Sequence, residues 1–286
     1  MKLELKTLRY SMFNNLAIAI IKVLGGIYFG LGSLFADGLH TFSDFVTDIV
    51  SMIGSKISKK RPTKYHPFGF GKVEYLSNLF VGFLLFALGI FIIINGLSGE
   101  VEVPPLSVLI VLVITFILKL VAIVKMHKVG ENINSVTLIT SVQKSKANLY
   151  STLGVFIITI LLQFSNKIPI LGYADMIGSI VIGLIVLKTA LKIIISNSLS
   201  VIGEIDYDKE KIEQVKEVLN EYKKVLDSDI KLIMYDSYYK LQLTVVLNQK
   251  LTLAQAEKLV KEIKSSIIRK KNLRIKYVTI YIVESI

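Results

Sequence analysis

Six apolar runs punctuate the chain, near residues 11–32, 33–55, 75–97, 105–126, 146–165 and 173–197. Each is long enough to cross a bilayer as a helix of about 20 residues. From Ile205 the pattern changes: charges become frequent and no run is long enough to span. Residues 208–222 place Ile212, Val215, Val218 and Leu219 at helical spacing. Residues 229–248 alternate, as in Leu241-Gln242-Leu243-Thr244-Val245, with a turn expected near Ser237. Residues 252–270 read as a second amphipathic helix with Leu253, Ala256, Leu259, Val260 and Ile263 inward, and a last strand follows at Lys276–Val283. The expected fold is a bundle of six transmembrane helices over residues 1–204, followed by a small α+β domain of order α-β-β-α-β over residues 205–286.

Composition agrees. Of 286 residues, 52% are hydrophobic, too many for an ordinary soluble fold. The formal net charge of +12 could suggest nucleic acid, but residues 1–204 hold 18 basic and 10 acidic side chains and residues 205–286 hold 16 and 12. Much of the excess lies beside the apolar runs, as a topology signal. Lys56, Lys59, Lys60, Arg61, Lys64 and Lys72 fill the second connection, and Lys125, Lys128, Lys144 and Lys146 the fourth. The segment Asn95–Ser107 has no Lys or Arg and carries Glu100 and Glu102. Basic loops stay cytoplasmic, which puts both termini there, in a plasma (inner) membrane, with no nucleic acid as partner. The charged start Met1-Lys2-Leu3-Glu4-Leu5-Lys6 leads into no cleavage site, so the first run is kept as a membrane helix. Cysteine is absent, which excludes disulfides and thiolate metal sites. Without a Walker, Rossmann or hydrolase pattern, an enzyme and an ATP-driven pump are both unsupported, and no cofactor is expected.

The second run carries the chemistry. Asp37, His40, Asp44 and Asp48 are spaced 3, 4 and 4 apart, which places them on one helical face. Each ionisable group near a bilayer centre costs about 2.5–3.5 kcal/mol on insertion scales, so a stripe of them points to a hydrated or cation-occupied cavity. His40 and Asp44, one turn apart, can ligate one divalent ion. Interhelical hydrogen bonding is the competing reading, strongest for Asp37 and Asp48 near the ends. Lys22, Lys119, Lys188 and Lys192 lie in or beside apolar runs; snorkelling is expected of those near ends, whereas Lys22 is expected to face the polar cavity. His66, beside Pro67, reads as a turn contact, His127 as a solvated interfacial residue, and Asp227, Asp229 and Asp236 as solvated surface.

Ala36-Asp37 followed by His40-x-x-x-Asp44 resembles the second-helix pattern of the cation diffusion facilitator (cation efflux) family, exporters of zinc and related divalent metals driven by protons. His66-Pro67-Phe68-Gly69-Phe70-Gly71-Lys72-Val73-Glu74 is similar to that family's loop signature, with Phe70 in place of its second His. Val129-Gly130-Glu131-Asn132-Ile133-Asn134-Ser135 resembles the segment before helix five, and Asp175 an acid at the start of helix six. The resemblance spans the chain and implies a ferredoxin-like cytoplasmic domain that dimerises, as a homodimer or with a paralogue.

It also implies a four-ligand transport site, two residues from helix two and two from helix five. Here Lys146–Val155 aligns with the helix-five pattern and puts Ser151 and Val155 in the ligand places. Val155 cannot bind metal and a neutral hydroxyl is a poor replacement, so half of the shell is missing. A working exporter would join His40 and Asp44 with Asp37, Asp48, Asn148, Ser151 or water; oxygen-rich ligands would shift preference from zinc towards a harder ion such as manganese or iron. The alternative is a transport-deficient structural or regulatory subunit.

Overall fold

The computed structural model describes residues 2–98, 103–133, 136–235, 238–247 and 251–284. The turn expected near Ser237, and Glu100, Glu102, Asn134, Ser135 and Asp236, lie outside the described residues. Six long helices lead: α1 (Lys2–Tyr28), α2 (Gly32–Ser58), α3 (Lys72–Ser98), α4 (Val108–Asn132), α5 (Val136–Gln163) and α6 (Ala174–Ile202). Among the described residues five helices, α1 and α3 to α6, are long and apolar enough to cross a membrane. α2 is as long but falls short in apolarity, since its length includes Asp37, Asp44 and Asp48. Two helices start well before the apolar runs that announced them: α1 at Lys2 rather than residue 11, and α5 at Val136 rather than residue 146.

The chain divides into two compact units, residues 1–50 with 80–194, and residues 51–79 with 195–286. In the first, α1 packs on α4 and α4 on α5. Its polarity runs opposite to that of a soluble protein. Lys22, Asp37, Lys119, Asn148 and Thr152 are buried, while Phe83 and Ile110 are 60% and 62% exposed. An apolar exterior of this extent around a polar interior is stable only against another apolar phase, here the lipid. Lys188 and Lys192 are exposed, as snorkelling requires, whereas Lys119 turns inward to bond Asn15 Oδ1 at 2.8 Å.

The second unit is a mixed sheet with two helices. Its elements are β1 (Ile205–Asp206), α7 (Lys209–Asn220), β2 (Val225–Tyr235), β3 (Tyr238–Leu247), α8 (Leu253–Arg269) and β4 (Ile275–Glu284). The strands lie in order β1-β2-β3-β4, with the first two pairings antiparallel and β3–β4 parallel. Strand β1 went unforeseen because two residues carry no alternation to read. Alternate residues Leu241, Leu243 and Val245 of β3 point into a core closed by Val215, Leu219 and Ile263 of the two helices. Both helices are capped: Asp208 accepts from the backbone N–H groups of Glu210 and Lys211, and Thr252 forms a capping box with Gln255.

Residues 60–72 belong to this unit and explain the glycines of the loop signature. Gly69 has φ +79°, a conformation that favours a residue without Cβ. A Cβ on Gly71 would meet the Tyr235 carbonyl oxygen at 2.7 Å. The Tyr238 hydroxyl donates to the Phe68 carbonyl at 2.6 Å, Phe68 packs edge-on against Tyr277, and the Lys240 ammonium lies 4.0 Å from the Phe68 ring centroid. His66 exchanges backbone hydrogen bonds with Thr63 and its ring lies 4.5 Å from that of Phe70. The signature is thus a clasp on strands β2 to β4, and His66 is a turn contact within it.

Candidate functional site

Helix α2 is fixed at its start by helix α6. The Asp175 carboxylate accepts from the backbone N–H groups of Gly32 at 2.7 Å and Ser33 at 2.8 Å. A carboxylate here satisfies two orphan donors and opposes the positive end of the helix dipole. One turn further, Gly38 allows α1 to come close: a Cβ there would lie 2.7 Å from the Val23 nitrogen. That approach brings Lys22 beside the acidic face of α2.

The first acid on that face is sealed. Lys22 Nζ lies 2.7 Å from Asp37 Oδ2, and their side chains are 3% and 0% exposed. Thr152 of α5 completes a triangle, accepting from Lys22 at 2.7 Å and donating to Asp37 Oδ2 at 3.1 Å. A buried pair with hydrogen bonds on both partners holds its geometry tightly, because separation leaves an uncompensated charge. Lys22, expected to face the polar cavity, instead pairs with the first acid of α2 and is not among the residues lining the cavity described below, and Asp37 serves a three-helix junction of α1, α2 and α5.

The acids at the other end are open. Lys144 Nζ lies 3.1 Å from Asp44 Oδ1 and 3.2 Å from Asp48 Oδ1. The Asn148 amide donates to Asp44 Oδ2. Exposure of these side chains is 44% for Lys144, 44% for Asp48 and 13% for Asp44. Between the two ends sits His40, whose Nδ1 is buried without a hydrogen-bond partner. Its ring borders a cavity of 750 Å³ lined also by Asn148, Ser151 and Val155 of α5 and otherwise mostly by apolar side chains of α5 and α6. An imidazole nitrogen with no partner stands out, because satisfied buried nitrogens are the rule.

The register of the two helices decides which residues meet. Asp48 faces Lys144, Asp44 faces Lys144 and Asn148, and Asp37 faces Thr152, so α2 and α5 run antiparallel. The residues that reach Asp44 from helix five are Lys144 and Asn148. Ser151 lies further along, half-buried at the cavity beside His40, and Val155 is fully buried in the apolar core. Among the described residues no three His, Asp or Glu side chains are gathered to hold a metal. The side chain that sequence reasoning missed is Lys144, placed with the cations of a connecting loop. The signal was present: Lys144, Asn148 and Thr152 repeat every four residues, which continues the polar face of α5 one turn before its apolar run.

Comparison with known proteins gives a consistent picture. A family model described as the cation efflux transmembrane domain matches residues 8–202. The chain is 30% identical over 260 residues to the manganese efflux system protein MneP of Bacillus subtilis, covering 87% of each. It is 31% identical over 233 residues to an uncharacterized transporter of Methanocaldococcus jannaschii, 79% of this chain and 80% of that one. A shorter stretch of 76 residues is 40% identical to mitochondrial metal transporter 1 of Saccharomyces cerevisiae, 27% of this chain and 15% of the yeast protein.

Proposed function

The chain belongs to the cation efflux family, and we propose that it exports a divalent metal cation through a remodelled site built on His40 and Asp44, with manganese as the preferred ion. The observation that carries this reading is the buried, unpartnered His40 Nδ1, one turn from Asp44 and on a ring that borders a cavity. Asp48, Asn148 and Ser151 are the nearest further oxygen donors, and carboxylate and carbonyl oxygens suit manganese better than the sulfur and nitrogen sets that suit zinc. The name of the manganese efflux relative from Bacillus subtilis points the same way. In this reading Asp37 is a structural residue, held by Lys22.

Helix α2 would then be the sixth span, its polar face turned to the pathway and both termini cytoplasmic. Residues 1–204 would form the membrane part, and residues 205–286 a ferredoxin-like domain through which two copies pair. Metal binding requires His40 neutral and Asp44 ionised, so protons arriving from the far side expel the ion. The cycle is alternating access, with metal and protons exchanged in opposite directions.

One observation favours a second reading, a transport-deficient subunit: a lysine accompanies both Asp37 and Asp44. Manganese flux into proteoliposomes carrying the purified chain separates the two. Flux from the wild type that falls to background in His40→Ala supports export; equal flux in both, or none from folded wild-type protein, overturns it.

A further inference from the structure

Helix α5 offers the acids of α2 hydrogen-bond donors where a transport site needs lone pairs. Lys144 takes Asp44 Oδ1 and Asp48 Oδ1, and the Asn148 amide takes Asp44 Oδ2. Both Asp44 oxygens are thereby engaged by nitrogen donors of one helix face. An ammonium has three donors and no lone pair, so beside a carboxylate it stands where a metal ion would stand. Its surroundings differ from those of Lys22, the α1 lysine that meets Asp37. Lys22 is 3% exposed with its ammonium bonded to both Asp37 and Thr152, whereas Lys144 is 44% exposed. A flexible four-carbon stem at a half-open site can withdraw its head into water; a sealed one cannot.

We propose that Lys144 is a tethered cation which holds the Asp44–Asp48 pair while no metal is bound and must be displaced before a divalent ion can enter, making it the specificity-determining residue of the site. The proposal rests on the reading of His40 and Asp44 as the transport site. Its physical basis is competition between charges at one place. A monovalent ion offers the two carboxylates no more charge than the ammonium already there, and it lacks the tether that keeps the ammonium close. A divalent ion offers twice the charge, gains the free His40 nitrogen, and can gain the Asn148 oxygen once that amide turns over. Lys144 therefore excludes monovalent ions and sets a floor on the metal concentration at which the site fills. An exporter that should act only on surplus metal needs such a floor.

Two measurements on the purified full chain in detergent test this. The first titrates Mn²⁺ into wild type, Lys144→Ala, Lys144→Arg and Asp44→Asn. The second follows acylation of Lys144 by an N-hydroxysuccinimide ester, read by mass spectrometry with and without Mn²⁺, with the exposed Lys261 as internal reference. We expect Lys144→Ala to bind Mn²⁺ roughly tenfold tighter, about 1.4 kcal/mol, and Lys144→Arg to keep the weaker binding. Acylation of Lys144 should rise when Mn²⁺ is added, and Asp44→Asn should abolish that rise. Asp44-dependent binding that is no tighter in Lys144→Ala, or acylation unmoved by saturating Mn²⁺, overturns the role of Lys144 alone. Absence of Asp44-dependent binding in every form overturns the transport-site reading, and the role of Lys144 with it.

Discussion

Asp37 and Asp44 lie seven residues apart on one face of α2, and each meets a lysine from another helix. The Lys22–Asp37 pair is dry, hydrogen-bonded to Thr152 and bound into the junction of three helices. The Lys144–Asp44 pair is partly exposed, shared with Asp48 and close in sequence to His40, whose Nδ1 has no partner. In the low dielectric of the first site, opposite charges hold each other strongly and neither can leave without stranding the other. At the second, the partial exposure of Lys144 and Asp48 weakens the hold on the ammonium and makes exchange of one cation for another feasible. The same two residue types therefore build a rivet at one end of the helix and a replaceable counter-ion at the other. The motif spacing treats both acids alike; their surroundings separate them.

The largest effect expected from this contrast is on stability. Lys22→Ala strands the Asp37 carboxylate and should destabilise the protein by about 3–5 kcal/mol, whereas Lys144→Ala should lose no more than about 1 kcal/mol. Replacing both partners by Lys22→Leu with Asp37→Leu should recover most of the loss, since it removes the stranded charge and leaves apolar groups in its place. Thermal unfolding in detergent reads all three. Equal losses in the two alanine variants would erase the distinction between the pairs.

A smaller effect sharpens the contrast by leaving both pairs alone. Gly71→Ala pushes a methyl group against the Tyr235 carbonyl and should loosen the clasp of residues 60–72 on the sheet, at about 1–3 kcal/mol. Hydrogen exchange should rise across residues 62–72 and in β2, while the amides around Asp37 and Asp44 keep their protection. Increased exchange near either lysine–aspartate pair would mean that the clasp supports the site and is more than a local contact.

The smallest effect concerns a third lysine–aspartate pair, Lys211 with Asp208, at the start of α7. Lys211, through its side chain first and its backbone second, holds the Asp208 carboxyl below the usual carboxylate range. A depressed folded value means that the carboxylate stabilises above the unfolded value, about pH 4, and that this contribution fades as pH falls through the folded one. Wild type should therefore melt above Asp208→Asn at neutral pH, and the two curves should converge below about pH 4. A gap that persists in acid would assign the cap's effect to packing.

Most of the fold was legible because apolar runs and alternating strands are local signals. The start of α5 was not, because Ser141, Gln143, Lys144 and Ser145 are polar, and a hydropathy reading ends a membrane helix where its polar turns begin. With α5 starting at 146, Lys144 counted as a loop cation, while Ser151 and Val155 took the ligand places by resemblance to the family's helix-five pattern. Which lysine meets which aspartate depends on helix register, a tertiary property that spacing within one helix does not carry. The polar face of α2 itself was read directly, since Asp37, His40, Asp44 and Asp48 at intervals of 3, 4 and 4 share one helical face. Asp175 was noted as an acid at the start of helix six, but its role in fastening α2 emerges only when the two helix ends are side by side.

In the proposed site the divalent ion sits at the Asp44 end of α2 and the Asp37 end is closed to it. Crystals grown with saturating Mn²⁺ and measured at the manganese absorption edge would locate the ion directly. An anomalous peak is expected between α2 and α5 in contact with Asp44 and His40, with the Lys144 side chain turned away and Lys22 still paired with Asp37. A peak at Asp37, or manganese only on the protein surface, would contradict it.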